Sequence, residues 1–131
     1  MANVKVAIMM GSKSDMSVME AAGQVLEGFG VGFEIKVLSA HRTPKETAEY
    51  AEKLRERGIQ AVICGAGMSA ALSGVVAAHT TLPVIGVPLN ASDLDGLDAL
   101  LSTVQMPPGV PVACVAVGKA GAKNAAFLAL R

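Results

Sequence analysis

Apolar runs and helical runs alternate along the whole chain, five of each. The first apolar run, 4–10 (VKVAIMM), has the unbroken hydrophobicity of a strand covered on both faces. The polar turn Gly11-Ser12-Lys13-Ser14-Asp15 leads into a helical stripe of Val18, Ala22, Val25 and Phe29. Gly28, Gly30 and Gly32 punctuate the passage to a second, β-branched run, 31–38. There the chain changes period abruptly. Thr43-Pro44-Lys45-Glu46 reads as a capping box, with Thr43 as N-cap, Pro44 at the first helical position and Glu46 reaching back. The helix it opens covers 44–57, with Ala48, Ala51 and Leu54 or Arg55 facing the core and Gly58 as its stop. A third strand, 61–64, is followed by the turn Gly65-Ala66-Gly67 and a helix of small residues, 70–79. Strand 83–87, helix 94–104 with its stop at Gln105-Met106-Pro107-Pro108-Gly109, strand 111–117 and a last helix, 120–131, complete the pattern.

Unbroken β-α alternation predicts a three-layer αβα sandwich around a five-stranded parallel sheet. At this length the flavodoxin-like strand order 2-1-3-4-5 is the leading topology, and right-handed crossovers remove most competitors. The 131 residues form one domain, with no repeat, linker or low-complexity segment. In such a sheet the turns after the first three strands become neighbours at the switch point, outside the C-terminal strand ends.

Composition narrows the partners. Eleven basic and 11 acidic side chains leave no net charge to draw the chain onto nucleic acid or a membrane, and 3% aromatics offer no base-stacking platform. Charged residues make up 17% and hydrophobic residues 52%, and positions 60–92 carry no Asp, Glu, Lys or Arg. Glycines, serines, His79 and Pro83 break that stretch before a span of about 20 apolar residues accumulates. A domain so poor in charge is expected to bury apolar faces against further copies of itself. Residues 1–5 lack a signal-peptide layout, and Cys64 and Cys114 sit in apolar runs, as expected for buried thiols in a reducing cytoplasm.

The candidate chemistry lies in the turns. Ser39-Ala40-His41-Arg42-Thr43 places an imidazole, which titrates near neutrality, beside a fixed positive charge at a helix N-terminus. That arrangement suits an anionic substrate needing a proton moved; its alternative is a polar surface turn. Ser12, Ser14 and Asp15 either cap the first helix or bind an anion and sugar hydroxyls. Gly65-x-Gly67-x-x-Ala70 fits the dinucleotide fingerprint loosely, but on the third βα unit and without a well-placed acid. Asp93, Asp95 and Asp98 resemble a metal loop, but the position that requires Glu is Val104, and helix capping accounts for them better. His79 suits a helix C-terminus without catalytic duty. No metal-ligand cluster or cofactor motif stands out.

Taken together, Gly11 to Asp15, Ser39 to Pro44, Gly65-Ala66-Gly67, Pro83-Val84-Ile85-Gly86-Val87-Pro88 and Gln105 to Gly109 resemble the N5-carboxyaminoimidazole ribonucleotide mutase (PurE) family, in order and over the whole chain. The resemblance implies a single catalytic domain over 1–131, an isomerase of de novo purine biosynthesis and a homo-octamer whose sites neighbouring subunits complete. It makes His41 the general acid and base and Ser12, Asp15 and Arg42 ligands of the ribonucleotide. Ser14, Ser39 and Gly67 complete the candidate binding set, with no metal and no cofactor.

Two departures stand out. The family's glycine-rich segment usually reads Ala-His-Leu-Pro-Gly, whereas this chain has Ala70-Ala71-Leu72-Ser73-Gly74, without the second histidine. The Leu-Ser-Gly spelling is similar to the related branch that carboxylates aminoimidazole ribonucleotide directly with CO2. Family members also run on into a longer C-terminal region that packs on a neighbour, while this sequence reaches Arg131. Direct carboxylation and a non-catalytic nucleotide-binding module therefore stand as alternatives to the mutase.

Overall fold

The computed structural model describes residues 3–131. Its sheet has five parallel strands in the order β2-β1-β3-β4-β5, the predicted arrangement. The strands are β1 (Val4–Met10), β2 (Gly32–Val37), β3 (Ala61–Gly67), β4 (Val84–Leu89) and β5 (Ala113–Cys114). The helices are α1 (Met16–Gly28), α2 (Pro44–Lys53), α3 (Leu72–His79), α4 (Leu97–Val104) and α5 (Lys119–Leu130). Period-two alternation along the central strands sorts the core into two layers. Ile8, Met10, Ile63, Ile85 and Val87 face α1 and α5; Ala7, Met9, Val62, Cys64 and Val84 face α2 and α3. No helix among the described residues is long and apolar enough to cross a membrane.

Glycine with positive φ ends the first two helical paths. Gly30, at φ 71°, and Gly58, at φ 87°, each occupy the left-handed position of a Schellman turn. Val31 N–H and Ile59 N–H reach back to the carbonyls of Leu26 and Leu54, each 3.0–3.2 Å away. Gly58 thus stops the helical path, although α2 itself ends at Lys53 and tighter turns carry the chain onward.

Several expectations need correction. Met19, Ala22 and Leu26 are the most buried positions of α1, with Val18 and Val25 of the expected stripe partly buried against the same core; Phe29 lies past the helix, 65% exposed, edge-on to Phe127. In α2 the core positions are Thr47, Ala51 and Leu54, while Arg55 is exposed. The capping box does not form: Thr43 makes no side-chain cap bond, because its hydroxyl turns back onto Ser39 instead. Residues 70–71 and 94–96 precede their helices, and α4 begins at Leu97 after a turn in which Ser92 Oγ donates to Asp98. The fifth strand is far shorter than 111–117. Gly86 O accepts from Val115 N–H, but Pro88 O accepts from Gly118 N–H, one residue later than regular pairing, and Pro88 has no N–H to give.

On the outer edge, Glu34 of β2 accepts hydrogen bonds from Tyr50 Oη and from the Arg57 guanidinium. The Arg57 hydrogen bond chiefly holds the Glu34 carboxyl below its usual range, and burial pushes the Tyr50 phenol up. This pins α2 and its exit to the first edge strand.

Candidate active site

The first two turns meet the end of β3 because of how the sheet is wound. Leu38 N–H bonds to Met10 O at 2.9 Å, continuing the β1–β2 ladder into the turn, so residues 39–43 leave the sheet beside residues 11–15. On the other side of β1, Met10 pairs with Gly65. A Cβ at Gly65 would meet the thioether end of Met19 from α1, so the glycine leaves that flexible side chain its place over the end of β3.

After β1 the chain makes one 3-10 turn, Lys13–Asp15, before α1. Ser12 caps that turn, its Oγ accepting from Ser14 N–H at 3.3 Å and lying 2.9 Å from Ser14 Oγ. Asp15 stands at the N-cap of α1 but forms no side-chain cap bond. Capping therefore accounts for Ser12, and leaves the Asp15 carboxylate available at a helix N-terminus. Burial raises the Asp15 carboxyl above its ordinary value, opposed in part by a backbone hydrogen bond from Ser12.

That direction gives a prediction. An acid raised in the folded state costs stability when ionised, and the cost vanishes below its unfolded value, ordinarily 3.8. Asp15→Asn should therefore melt above the wild type at neutral pH. The advantage should shrink as pH falls through the raised folded value and disappear below the unfolded one. Melting curves across acidic to neutral pH test this, and a constant difference would refute it.

The second turn presents His41 and Arg42 to solvent. Ser39 Oγ accepts from Arg42 N–H at 3.1 Å, so this serine already shapes the turn. The third expected turn is strand instead: Gly65 to Gly67 belong to β3 and pair with Val87 to Leu89, and Gly67 lies under the loop after β4, where a Cβ would come within 3.0 Å of Ala91 Cβ. Met68 follows with φ 55° and is 62% exposed, a left-handed conformation rarely taken by a side chain of its kind. Neither Met68 nor the 89–92 loop had a signal in residue spacing; the loop reaches the rim because β4 continues through Leu89.

The remaining candidates lie elsewhere or are inert. His79, at the C-terminus of α3, lies 3.9 Å from Glu52 on the opposite side of the sheet's ends from His41. Asp93 and Asp95 are exposed. Burial raises the thiols of Cys64 and Cys114, both free, and makes them poor nucleophiles. Two recesses, of about 620 and 770 Å³, open at the N-terminal strand ends and include none of the site turns. The chemistry-bearing groups, not the volume of a recess, locate the site.

The AIR carboxylase family model matches residues 5–131, nearly the whole chain and every turn described above. The chain belongs to the AIR carboxylase family. Relatives in this family include the N5-carboxyaminoimidazole ribonucleotide mutase of Pyrococcus abyssi, 60% identical over 126 residues, which are 96% of this chain and 71% of that protein. The Bacillus subtilis mutase is 57% identical over 124 residues, 95% of this chain and 76% of its own. A crystal structure of Treponema denticola PurE superposes with a TM-score of 0.84 at 34% identity, covering 95% of this chain and 76% of that one. The AIR carboxylase fold is thus shared as well as the sequence, including the winding that sets the 11–15 and 39–43 turns side by side.

Proposed function

We propose that this chain is an isomerase of purine biosynthesis that converts N5-carboxyaminoimidazole ribonucleotide to 4-carboxy-5-aminoimidazole ribonucleotide. The observation that carries the reading is the Leu38–Met10 ladder bond, which sets the His41-Arg42 turn against the Ser12-to-Asp15 turn at the switch point. The 54–60% identity to proteins named for this reaction supports it.

The chemistry follows from the groups present. His41, as imidazolium, gives a proton to the exocyclic nitrogen as the N–C bond breaks and its electron pair stays on nitrogen, releasing CO2. The ring carbon then attacks CO2, and His41 takes the ring C–H proton, which restores both the aromatic ring and the imidazolium. The exchange is redox-neutral and needs no cofactor. Arg42 holds the phosphate through charge-assisted hydrogen bonds, Asp15 accepts from the ribose hydroxyls, and Ser12 and Ser14 supply hydroxyls to the anion. Ser39 shapes the turn, and Gly67 lets backbone approach the carboxylate or CO2.

Arg42→Ala should raise KM by about tenfold or more with kcat little changed, since the phosphate is far from the bonds that break. Steady-state kinetics checks this, and an unchanged KM would count against the clamp.

Direct carboxylation is the second reading, favoured by the Leu72-Ser73-Gly74 spelling, while Ala71 in place of a histidine favours a non-catalytic nucleotide-binding module. The deciding experiment offers the purified protein the N-carboxylated ribonucleotide and, separately, aminoimidazole ribonucleotide with bicarbonate. Conversion of the first at low bicarbonate supports the mutase; conversion of only the second supports the carboxylase. Binding without conversion identifies a nucleotide-binding module.

We place the protein in the cytoplasm as a homo-octamer acting on a small ribonucleotide, with neither nucleic acid nor membrane as partner. The octameric count rests on the family resemblance. An apolar surface supports self-association: Leu94, Leu97, Leu101 and Val104 follow helical spacing and are 45–60% exposed. Positions 99–118 carry no charge, so the Leu101–Val104 end of this surface is apolar throughout, while Asp93, Asp95 and Asp98 lie at its other end.

A further inference from the structure

The turn bearing His41 and Arg42 is held by a column of hydroxyls that the chemistry above leaves unused. Ser39, Thr43 and Thr47 recur every four residues, from the end of the turn's strand into α2. Thr43 Oγ1 accepts from Ser39 N–H at 2.9 Å and lies 3.1 Å from Ser39 O, which also accepts from Thr43 N–H at 2.9 Å. Thr47 Oγ1 lies 2.7 Å from Thr43 O and 3.1 Å from Ser39 O, so its single proton is directed at the two carbonyls that bracket the turn.

Thr47 is fully buried, where its hydroxyl must keep a partner. An apolar β-branched side chain would fill the same space, so packing alone does not call for oxygen here. His41 and Arg42, by contrast, are exposed. Their placement comes from the backbone between Leu38, which is tied to Met10, and Thr43, which is tied to Ser39. Thr47 is the buried end of that second tie.

We propose that Thr47 is a positioning residue for His41, holding the 39–43 turn so that the imidazole sits in reach of the atoms exchanging a proton. This rests on the reading of His41 as proton carrier. Misplacement of a reacting group by about an ångström costs up to about a hundredfold in rate, and two other donors still hold Ser39 O.

Thr47→Val keeps the shape and removes the hydroxyl; Thr47→Ser keeps the hydroxyl. With the N-carboxylated ribonucleotide, kcat should fall about tenfold in the valine variant with KM little changed, and return to within about twofold in the serine variant. Thr43→Val removes the other hydroxyl and should act in the same direction. A second readout is independent of turnover. The chain has two histidines, so the imidazole Cε1–H region of a proton–carbon spectrum has two signals. Thr47→Val should move or broaden that of His41 and leave that of His79 in place. Wild-type kcat in Thr47→Val, equal losses in Val and Ser, or an unmoved His41 signal would each overturn the proposal. Failure of the wild type to convert either substrate would sink the functional reading instead, and the imidazole signals would still test the tie.

Discussion

His41→Asn is expected to lower kcat by about 10²–10⁴-fold while the ribonucleotide binds within a few-fold of its normal affinity. Asparagine keeps a planar group that donates and accepts hydrogen bonds, so the exposed turn and its hydroxyl ties need not change. What it cannot do is pick up and release a proton near neutrality, and the proposed exchange requires both. No other imidazole of the same chain is near enough to take over. The second histidine, His79, terminates α3, at the end of the molecule away from the 39–43 turn, and position 71 holds alanine. Turnover measured beside calorimetric binding separates the two effects, and wild-type turnover would remove His41 from the mechanism.

Gly121→Ala should have the largest effect on stability, a loss on the order of 3 kcal/mol and about 10 °C in melting temperature. Gly121 lies in the first turn of α5, and a Cβ built there would coincide with the carbonyl oxygen of Ala116. That obstacle is backbone, so no rotamer change relieves it; α5 would have to lift or the 116–118 segment would have to move. Lifting α5 disturbs Ala122, Ala125 and Ala126, all fully buried in the layer shared with α1. Gly28→Ala provides the control. It sits at the end of α1 with nothing near its Cβ, and is expected to be neutral or to stabilise by up to about 1 kcal/mol. Thermal unfolding of the two variants side by side tests the contrast, and equal melting temperatures would refute it.

The fold was legible wherever hydrophobic period was strong. The run VKVAIMM predicts β1 to its end residues, and five such runs predict the sheet order. Period was weak where side chains are small or polar. Thr47 is a core residue written as a polar one, and its burial is visible only once two backbone carbonyls are seen to converge on it. In α1, Met19-Ala22-Leu26 and Val18-Ala22-Val25 are equally helical stripes, and both pack on the core, the first fully buried and the second partly. β5 is short for a reason held by its neighbour, Pro88, rather than by its own β-branched sequence.

The adjacency of the proposed site's turns was legible in a similar way. Residue type marked the turns: serine and aspartate beside glycine, and histidine with arginine before Pro44. The sheet order then made the turns adjacent. The left-handed backbone of Met68 and the arrival of Ala91 over Gly67 depend on long-range packing, for which no local residue pattern is a proxy.

The shortness of β5 also bears on how such an apolar chain avoids fibres. A long free edge would offer backbone donors and acceptors to any passing strand and invite open-ended stacking. Here one edge strand pairs over two residues and then slips at Pro88, while the other is overlaid by the Glu34, Tyr50 and Arg57 side chains. Any association of copies would then fall to side-chain surfaces on helices such as α4, which can close on themselves by rotation and stop at a finite number of copies.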